Sequence, residues 1–159
     1  MKIGVVADTH SQEVPKQLWD DFEDMDCIVH AGDFCTWDDY QKFKDKKELK
    51  AVLGNLDDAK LKKVLPQKLI FKLGGFSFGV YHGEGPAQKV LDFAKAKFEK
   101  DKVDAVIFGH SHIPLNLTIG GVLYFNPGSP CDTICAPYCS YGVIEIENRT
   151  ISGKIIKVK

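Results

Sequence analysis

Apolar residues in this chain come in short runs broken by turn residues, and this alternation limits the folds open to it more than any other feature. Lys2–Ala7, Cys27–Ala31, Leu49–Leu53, Phe76–Tyr81 and Val103–Phe108 read as strands, each five or six residues long. Runs of that length, mostly apolar and containing β-branched and aromatic residues, suit buried strands. Between them the spacing turns helical. Val14, Leu18, Phe22 and Met25 recur at intervals of four, four and three, with Pro15 placed for a first helical turn. A charged helix is expected over Trp37–Lys47, and Pro86 opens a third with Ala87, Val90 or Leu91, Ala94 and Phe98 on one face. Ile70–Leu73 and Phe76–Tyr81 flank Gly74-Gly75, a two-residue hairpin signal. From Ile113 onward, Pro114–Ile119, Val122–Phe125, Tyr141–Ile146 and Ile151–Val158 read as an antiparallel meander. Alternating β and α segments followed by strands specify an α/β (α+β) chain with mixed sheets.

Composition narrows the function classes. With 159 residues, residues 1–159 are expected to form one domain. An apolar content of 44% excludes disorder. Lys and Arg number 21 against 22 Asp and Glu, a net charge of −1, which argues against gripping nucleic acid through a basic face. No run approaches the ~18 apolar residues of a membrane span, and Ile3–Ala7 is too short for the core of a secretory leader. A cytoplasmic protein is expected, and five cysteines, an odd number, fit a reducing compartment.

The chemistry lies at the strand ends. The first strand ends in Asp8-Thr9-His10, the second in Gly32-Asp33 and the third in Gly54-Asn55; Phe76–Tyr81 runs into His82-Gly83, and Val103–Phe108 into Gly109-His110-Ser111-His112. In open α/β sheets, sites form beyond the carboxyl ends of strands, and glycines there let the backbone turn and approach closely. Asp8 or His82 alone would more often be a turn or core residue, and one His-x-His is weakly specific. The joint pattern carries the argument, since four of the five histidines fall at these ends. Seven donors exceed the four to six that one divalent ion takes and suit two ions sharing a carboxylate. Imidazole and carboxylate without thiolate favour Mn, Fe or Zn, and paired metals are a recognised arrangement for hydrolysing phosphate esters. His30, inside the second strand, reads as a hydrogen-bonded core residue or a support for the ligands.

Asp8-x-His10, Gly32-Asp33, Gly54-Asn55-x-Asp57, His82-Gly83 and Gly109-His110-x-His112 resemble, in order, the five motifs of the calcineurin-like metallophosphoesterases. The short chain and Asn126-Pro127-Gly128-Ser129 look most like the small stand-alone phosphodiesterases of bacteria and archaea. The resemblance spans Met1 to about Ile146. It implies a four-layer αββα sandwich, two mixed sheets flanked by helices, with a bimetal centre at one edge. Asp8, His10, Asp33 and His112 would hold one ion; Asp33 would bridge to a second completed by Asn55, His82 and His110. Asp33, Asn55 and His110 are the expected catalytic residues. A hydroxide activated by two metals would attack the phosphorus of a small phosphodiester. Mn²⁺ is the expected ion, with Fe, Zn or Ni as alternatives, and a homodimer is compatible with the family.

One departure bears on substrate. Larger relatives place a histidine after the asparagine, where it protonates the leaving oxygen; here the residue is Leu56, which has no proton to give. General acid help is typically worth about 10²–10⁴-fold, so aryl esters are expected to be favoured over alkyl phosphates. Asp57 then serves either a local loop hydrogen bond or catalysis. Asn126 and Ser129 either line a phosphate pocket or make a tight turn. Cys131, Cys135 and Cys139 lie four apart near Pro130 and Pro137, which favours free thiols over a metal site. Trp37 follows the Asp33 loop and reads as helix packing or a substrate contact. Two other readings share the motifs: a protein-binding scaffold like the eukaryotic retromer subunit, and a metal-dependent nuclease.

Overall fold

The computed structural model describes all 159 residues. In chain order the elements are β1 (Lys2–Val6), α1 (Lys16–Phe22), β2 (Cys27–His30), α2 (Trp37–Lys44), β3 (Leu49–Ala51), β4 (Lys68–Leu73), β5 (Phe76–Tyr81), α3 (Val90–Phe98), β6 (Ala105–Ile107), β7 (Leu115–Ile119), β8 (Val122–Asn126), β9 (Ser140–Glu147) and β10 (Thr150–Lys157). Short 3₁₀ turns cover Leu61–Lys63 and Ala87–Lys89.

Two mixed five-stranded sheets result, ordered β10-β9-β1-β2-β3 and β4-β5-β6-β8-β7. They face each other across a core built from alternate strand residues. Ile3, Val5, Ala7, Val29 and Ala31 of the first sheet meet Phe78, Val80, Ile107, Leu123 and Phe125 of the second. The opposite faces carry helices. Val6 and Ile28 pack with Leu18 and Phe22 of α1 and Phe43 of α2, whereas Tyr81, Val106 and Phe108 pack with Val90, Ala94 and Phe98 of α3. The order is thus helix, sheet, sheet, helix. Each fully buried Leu or Phe contributes roughly 1.5–3 kcal/mol relative to exposure.

Most segments fall where the residue pattern places them. Gly74-Gly75 (φ 58 and 87) and Gly120-Gly121 (φ 58 and 84) supply the two left-handed residues that a tight hairpin turn requires. Thr36 caps α2 by accepting the Asp39 backbone N–H at 3.4 Å, with Asp38 and Asp39 in the first turn and Lys42 and Lys44 in the last. The first helix stops at Phe22 rather than continuing to Met25. Asp26 bonds the Lys2 backbone twice, through its N–H at 2.8 Å and its carboxylate at 2.6 Å, which draws the chain back into the sheet.

The expected meander is divided between the sheets. β7 and β8 form a hairpin in the second sheet, where β8 runs parallel to β6 with Val106 opposite Tyr124. β9 instead crosses to the first sheet and pairs antiparallel with β1, Ile3 opposite Ile144. Turn chemistry does not specify which sheet a strand joins; the match of apolar faces does.

Candidate metal centre

β1, β2 and β3 are parallel neighbours, as are β5 and β6, so within each sheet their carboxyl ends point one way. The loops after those ends are laced together. Asp8 N–H donates to Gly32 O and His10 N–H to Asp33 O, both at 3.0 Å; Gly109 N–H reaches His82 O at 2.8 Å. His82 Nδ1 spans the two sheets to the Ala31 carbonyl at 2.8 Å. Close approach depends on small residues: a Cβ on Gly54 would stand 2.1 Å from Asp33 Oδ1, and one on Gly109 would stand 2.7 Å from Asp8 Oδ2.

All seven candidate donors of the strand ends meet here. His10 Nε2 and His112 Nε2 are 3.1 Å apart, and Asp8 Oδ1 lies 3.5 Å from His112 Nε2 and 3.9 Å from His10 Nε2. On the other side, His82 Nε2 lies 3.4 Å from Asp33 Oδ2 and 3.9 Å from Asp8 Oδ1. Asn55 Oδ1 is 3.0 Å from both His82 Nε2 and His110 Nδ1. Two groups able to hold an ion follow, Asp8–His10–His112 and Asp8–Asp33–His82. Asp8 is the carboxylate common to both, whereas the family resemblance assigned the bridging position to Asp33. Asp8, Asp33 and His82 are buried; Asn55 is exposed and His10, His110 and His112 are half-exposed, so the centre opens on that side.

The outer nitrogen of every ring is occupied. His82 Nδ1 faces Ala31 O, His110 Nε2 faces Gly85 O at 2.9 Å, and His112 Nδ1 faces Asp132 Oδ2 at 2.5 Å. His10 Nδ1 lies 3.3 Å from the Cys35 sulfur. Engaging one nitrogen fixes the tautomer and orients the other, which is how ligating histidines are held.

The donors suit a divalent ion. Two ligand atoms each about 2.1 Å from one ion stand roughly 3–3.5 Å apart, the range of most of these separations. Asp8 Oδ1 is buried with no hydrogen-bond partner, an arrangement that a bound cation would satisfy. Protons take up part of that role in the metal-free chain. Burial disfavours a charged His82, but Asp33 and Asp8 outweigh it and push its pKa up to about 9. The Asp8 carboxylate, working against burial and aided by Asp132, also pushes His112 up to about 9. Burial would raise Asp33, yet His82 and the Leu56 N–H hold it below the usual carboxylate range.

Backbone strain concentrates at this edge. Of nine non-glycine residues with positive φ, seven are here: Asp8, His10, Ser11, Asp33, Cys35, His110 and His112. Such conformations are costly and cluster where function demands them.

Asn126 and Ser129, expected as substrate-binding candidates, lie behind the donors and are fully buried. Asn126 Nδ2 donates to Gly109 O and Ser111 Oγ, both at 3.0 Å, and its Oδ1 accepts from Gly128 N–H. Ser129 Oγ donates to Asp8 O at 2.8 Å. Both brace the donor loops. Asp57 is buried and accepts from Cys35 N–H at 2.8 Å and Gly54 N–H at 2.7 Å, binding two donor loops together. Leu56 is 57% exposed beside Asn55. The Trp37 ring has the Lys60 ammonium 3.8 Å from its centroid. All five thiols are free, and no cysteine belongs to a group able to hold an ion. Sequence reasoning passed over Asp132 as a partner of His112; twenty residues separate them, and no local spacing links them.

Comparison with known proteins agrees with this geometry. Residues 1–149 match the model of the calcineurin-like phosphoesterase superfamily domain. A probable metallophosphoesterase of Methanocaldococcus jannaschii is 32% identical, over 100% of this chain and 82% of its own. A phosphodiesterase of the same organism is 25% identical, over 94% of this chain and 95% of its own. Among solved structures, Vps29 of Chaetomium thermophilum superposes with a TM-score of 0.80 at 18% identity, over 99% of this chain and 97% of its own. With five strand ends delivering their donors to one edge and the family model spanning nearly the whole chain, this protein belongs to the calcineurin-like phosphoesterase superfamily.

Proposed function

We propose that the chain is a metal-dependent phosphodiesterase acting on small phosphodiesters, with two divalent ions, Mn²⁺ foremost, at the strand-end centre. The observation that carries this reading is the pair of donor groups sharing Asp8, with an unpartnered carboxylate oxygen between them. Asp8, His10 and His112 would hold one ion; Asp33, Asn55, His82 and His110 would surround the second, with Asp8 or Asp33 between them. When bound, two such ions neutralise charge on the phosphoryl oxygens and lower the pKa of water in the site.

The chain's own residues set what else the site can do. Asn55 and His110 stand at the open side, where a phosphoryl group would enter. Gly85 O holds the outer nitrogen of His110, and the Leu56 N–H, donating to Asp33 Oδ1 at 2.8 Å, pins the backbone just after Asn55. Leu56 presents an alkyl group at the mouth and donates no proton to a leaving group. Substrates whose leaving group departs unprotonated, such as aryl diesters, are therefore favoured. A net charge of −1 disfavours long nucleic acid as substrate.

The likeness to Vps29 supports a rival reading as a protein-binding scaffold, since that fold superposes well. The complete donor set favours the enzyme, because a scaffold has no chemical need of four histidines and two buried aspartates at one edge. Chelated protein should be assayed on bis-p-nitrophenyl phosphate and p-nitrophenyl phosphate with and without Mn²⁺. Metal-restored cleavage favouring the diester is expected. No cleavage with any divalent ion would favour the scaffold, and metal-dependent cleavage of DNA at low salt would favour a nuclease.

A further inference from the structure

Behind the donors lies a second set of polar groups with no part in the reading above. Thr9, His30 and Asp39 are all fully buried. The Gly32 backbone N–H donates to His30 Nδ1 at 3.2 Å, which places the ring proton on Nε2. From there it is donated to Thr9 Oγ1, 3.2 Å away. The Thr9 hydroxyl in turn donates to Asp39 Oδ2 at 2.5 Å. Aromatic rings wall this chain of bonds: Phe34 stacks on His30 at 3.5 Å and Phe43 meets its edge at 5.0 Å. The other oxygen of Asp39 has no hydrogen-bond partner, and the Lys42 ammonium stands 3.6 Å from it.

A carboxylate in such a place is costly. Well-packed apolar residues of similar volume commonly serve stability as well or better than a buried charge, so stability alone gives no reason for Asp39. Its location supplies one. Thr9 sits between Asp8 and His10, in a stretch where Asp8, His10 and Ser11 have φ of 57, 50 and 54. L-residues avoid that region, and runs of them persist only where the surroundings over-determine them. Two backbone bonds lay the stretch on the Gly32-Asp33 loop. The Thr9 hydroxyl is the one side-chain tether between the two candidate ligands, and it is anchored to both α2 and the end of β2. Each end of the tether therefore reports on a different ligand loop: Asp39 on the Asp8–Ser11 stretch, and His30 on Gly32 and through it Asp33.

Resting on the metal-centre reading, we propose that Asp39, acting through the Thr9 hydroxyl with His30 behind it, positions Asp8 and His10 and so sets the affinity of the Asp8–His10–His112 group for its ion. Asp39 touches neither ion nor substrate and is a positioning residue. Outer partners of this kind are typically worth 10–100-fold in metal affinity.

The test is calorimetric titration of the chelated full chain with Mn²⁺, comparing wild type with Thr9→Val, Thr9→Ser, Asp39→Asn and the Thr9→Val/Asp39→Asn pair. Thr9→Val keeps the shape and removes the hydroxyl; Thr9→Ser keeps the hydroxyl. The expected result is Mn²⁺ binding at the Asp8–His10–His112 group weakened about 10–100-fold by Thr9→Val and by Asp39→Asn, and binding at the other group, which shares Asp8 but not His10, weakened less. Thr9→Ser should stay near wild type, and the double variant should be no worse than the weaker single one, since both cut the same path. A merely structural role would lower the melting temperature of the metal-free chain and leave both affinities alone, or weaken both equally; either result overturns the proposal. So does Thr9→Val binding Mn²⁺ like wild type, or Thr9→Ser behaving like Thr9→Val. If Asp39→Asn does not fold, the two Thr9 variants decide. Wild type that binds no divalent ion would instead bring down the metal-centre reading itself.

Discussion

His112 Nδ1 meets Asp132 Oδ2 at 2.5 Å, so a loop before β9 holds a ring presented by the loop after β6. The same carboxylate gathers its own loop, accepting the backbone N–H groups of Ile134, Cys135 and Ala136 at 2.8–3.1 Å. Burial would raise Asp132, but the bond from His112 and those from Cys135 and Ile134 hold its pKa at about 2. Asp132 is therefore ionised at neutral pH, where it orients His112.

Asp132→Asn should accordingly weaken metal binding at the Asp8–His10–His112 group by about 10–100-fold. The fold should survive, because the apolar cores of the two sheets do not include that carboxylate. Metal titration of the purified variant, with its far-ultraviolet circular dichroism as a control for folding, checks this. Unchanged affinity would show that His112 is held without Asp132.

Gly54→Ala should damage the site by overpacking. Its Cβ would stand 2.1 Å from Asp33 Oδ1 and 2.2 Å from the Asp33 nitrogen, so backbone of one of the two loops must shift. A destabilisation of about 1–3 kcal/mol is typical of such insertions, and displacing Asp33 should reduce metal-dependent cleavage further. Denaturant midpoints and diester assays at saturating Mn²⁺ separate the two effects.

The raised histidines predict a pH dependence for the metal-free chain. His82 and His112 sit near 9 in the folded protein against an ordinary value of 6.5. A group whose pKa rises on folding binds its proton more tightly in the native state, so its contribution is fully present below pH 6.5 and is lost as pH climbs through 9. Stability of the chelated protein should fall across that window. Divalent metal replaces those protons, so binding at pH 7.5 should release protons. Calorimetry in buffers of different ionisation enthalpy reads the number released, and zero would mean the rings are neutral before metal arrives.

Leu56→His should widen the substrate range. The Leu56 backbone is pinned by its N–H to Asp33 Oδ1 while its side chain projects at the mouth beside Asn55. A histidine there would be placed to protonate a departing oxygen. Well-placed general acids supply about 10²–10⁴-fold, and a transplanted one should give a fraction of that, about tenfold, on alkyl phosphate esters. Rates on p-nitrophenyl phosphate, whose leaving group departs without help, should move far less. Equal gains on both would point to altered binding instead.

The seven donors were legible because each follows an apolar run and sits beside a turn residue, a pattern that period and composition expose. Their partners were not. Asp132 looks like an ordinary loop aspartate, and Asn126 and Ser129 look like phosphate-facing groups until their burial is known. Asp57 was open between two roles, and its two bonds to Cys35 and Gly54 decide for loop bracing. The Cys35 sulfur lies against His10 Nδ1, a contact that nothing in the local sequence signals. In each case the missing information is a contact between segments distant in the chain.

The residues by themselves determined the strands, the hairpin at Gly74-Gly75, the family and the donor types, since all of these rest on local period, turn chemistry and spacing. Only the tertiary structure decided that β9 leaves β8 for the other sheet and that Asp8 stands between two donor groups. It alone showed that Thr9, His30 and Asp39 form one buried chain of bonds. The physical reason is that hydrogen bonds and ion pairs act over about 3 Å in space, and no pattern along a chain states which distant residues folding will bring that close.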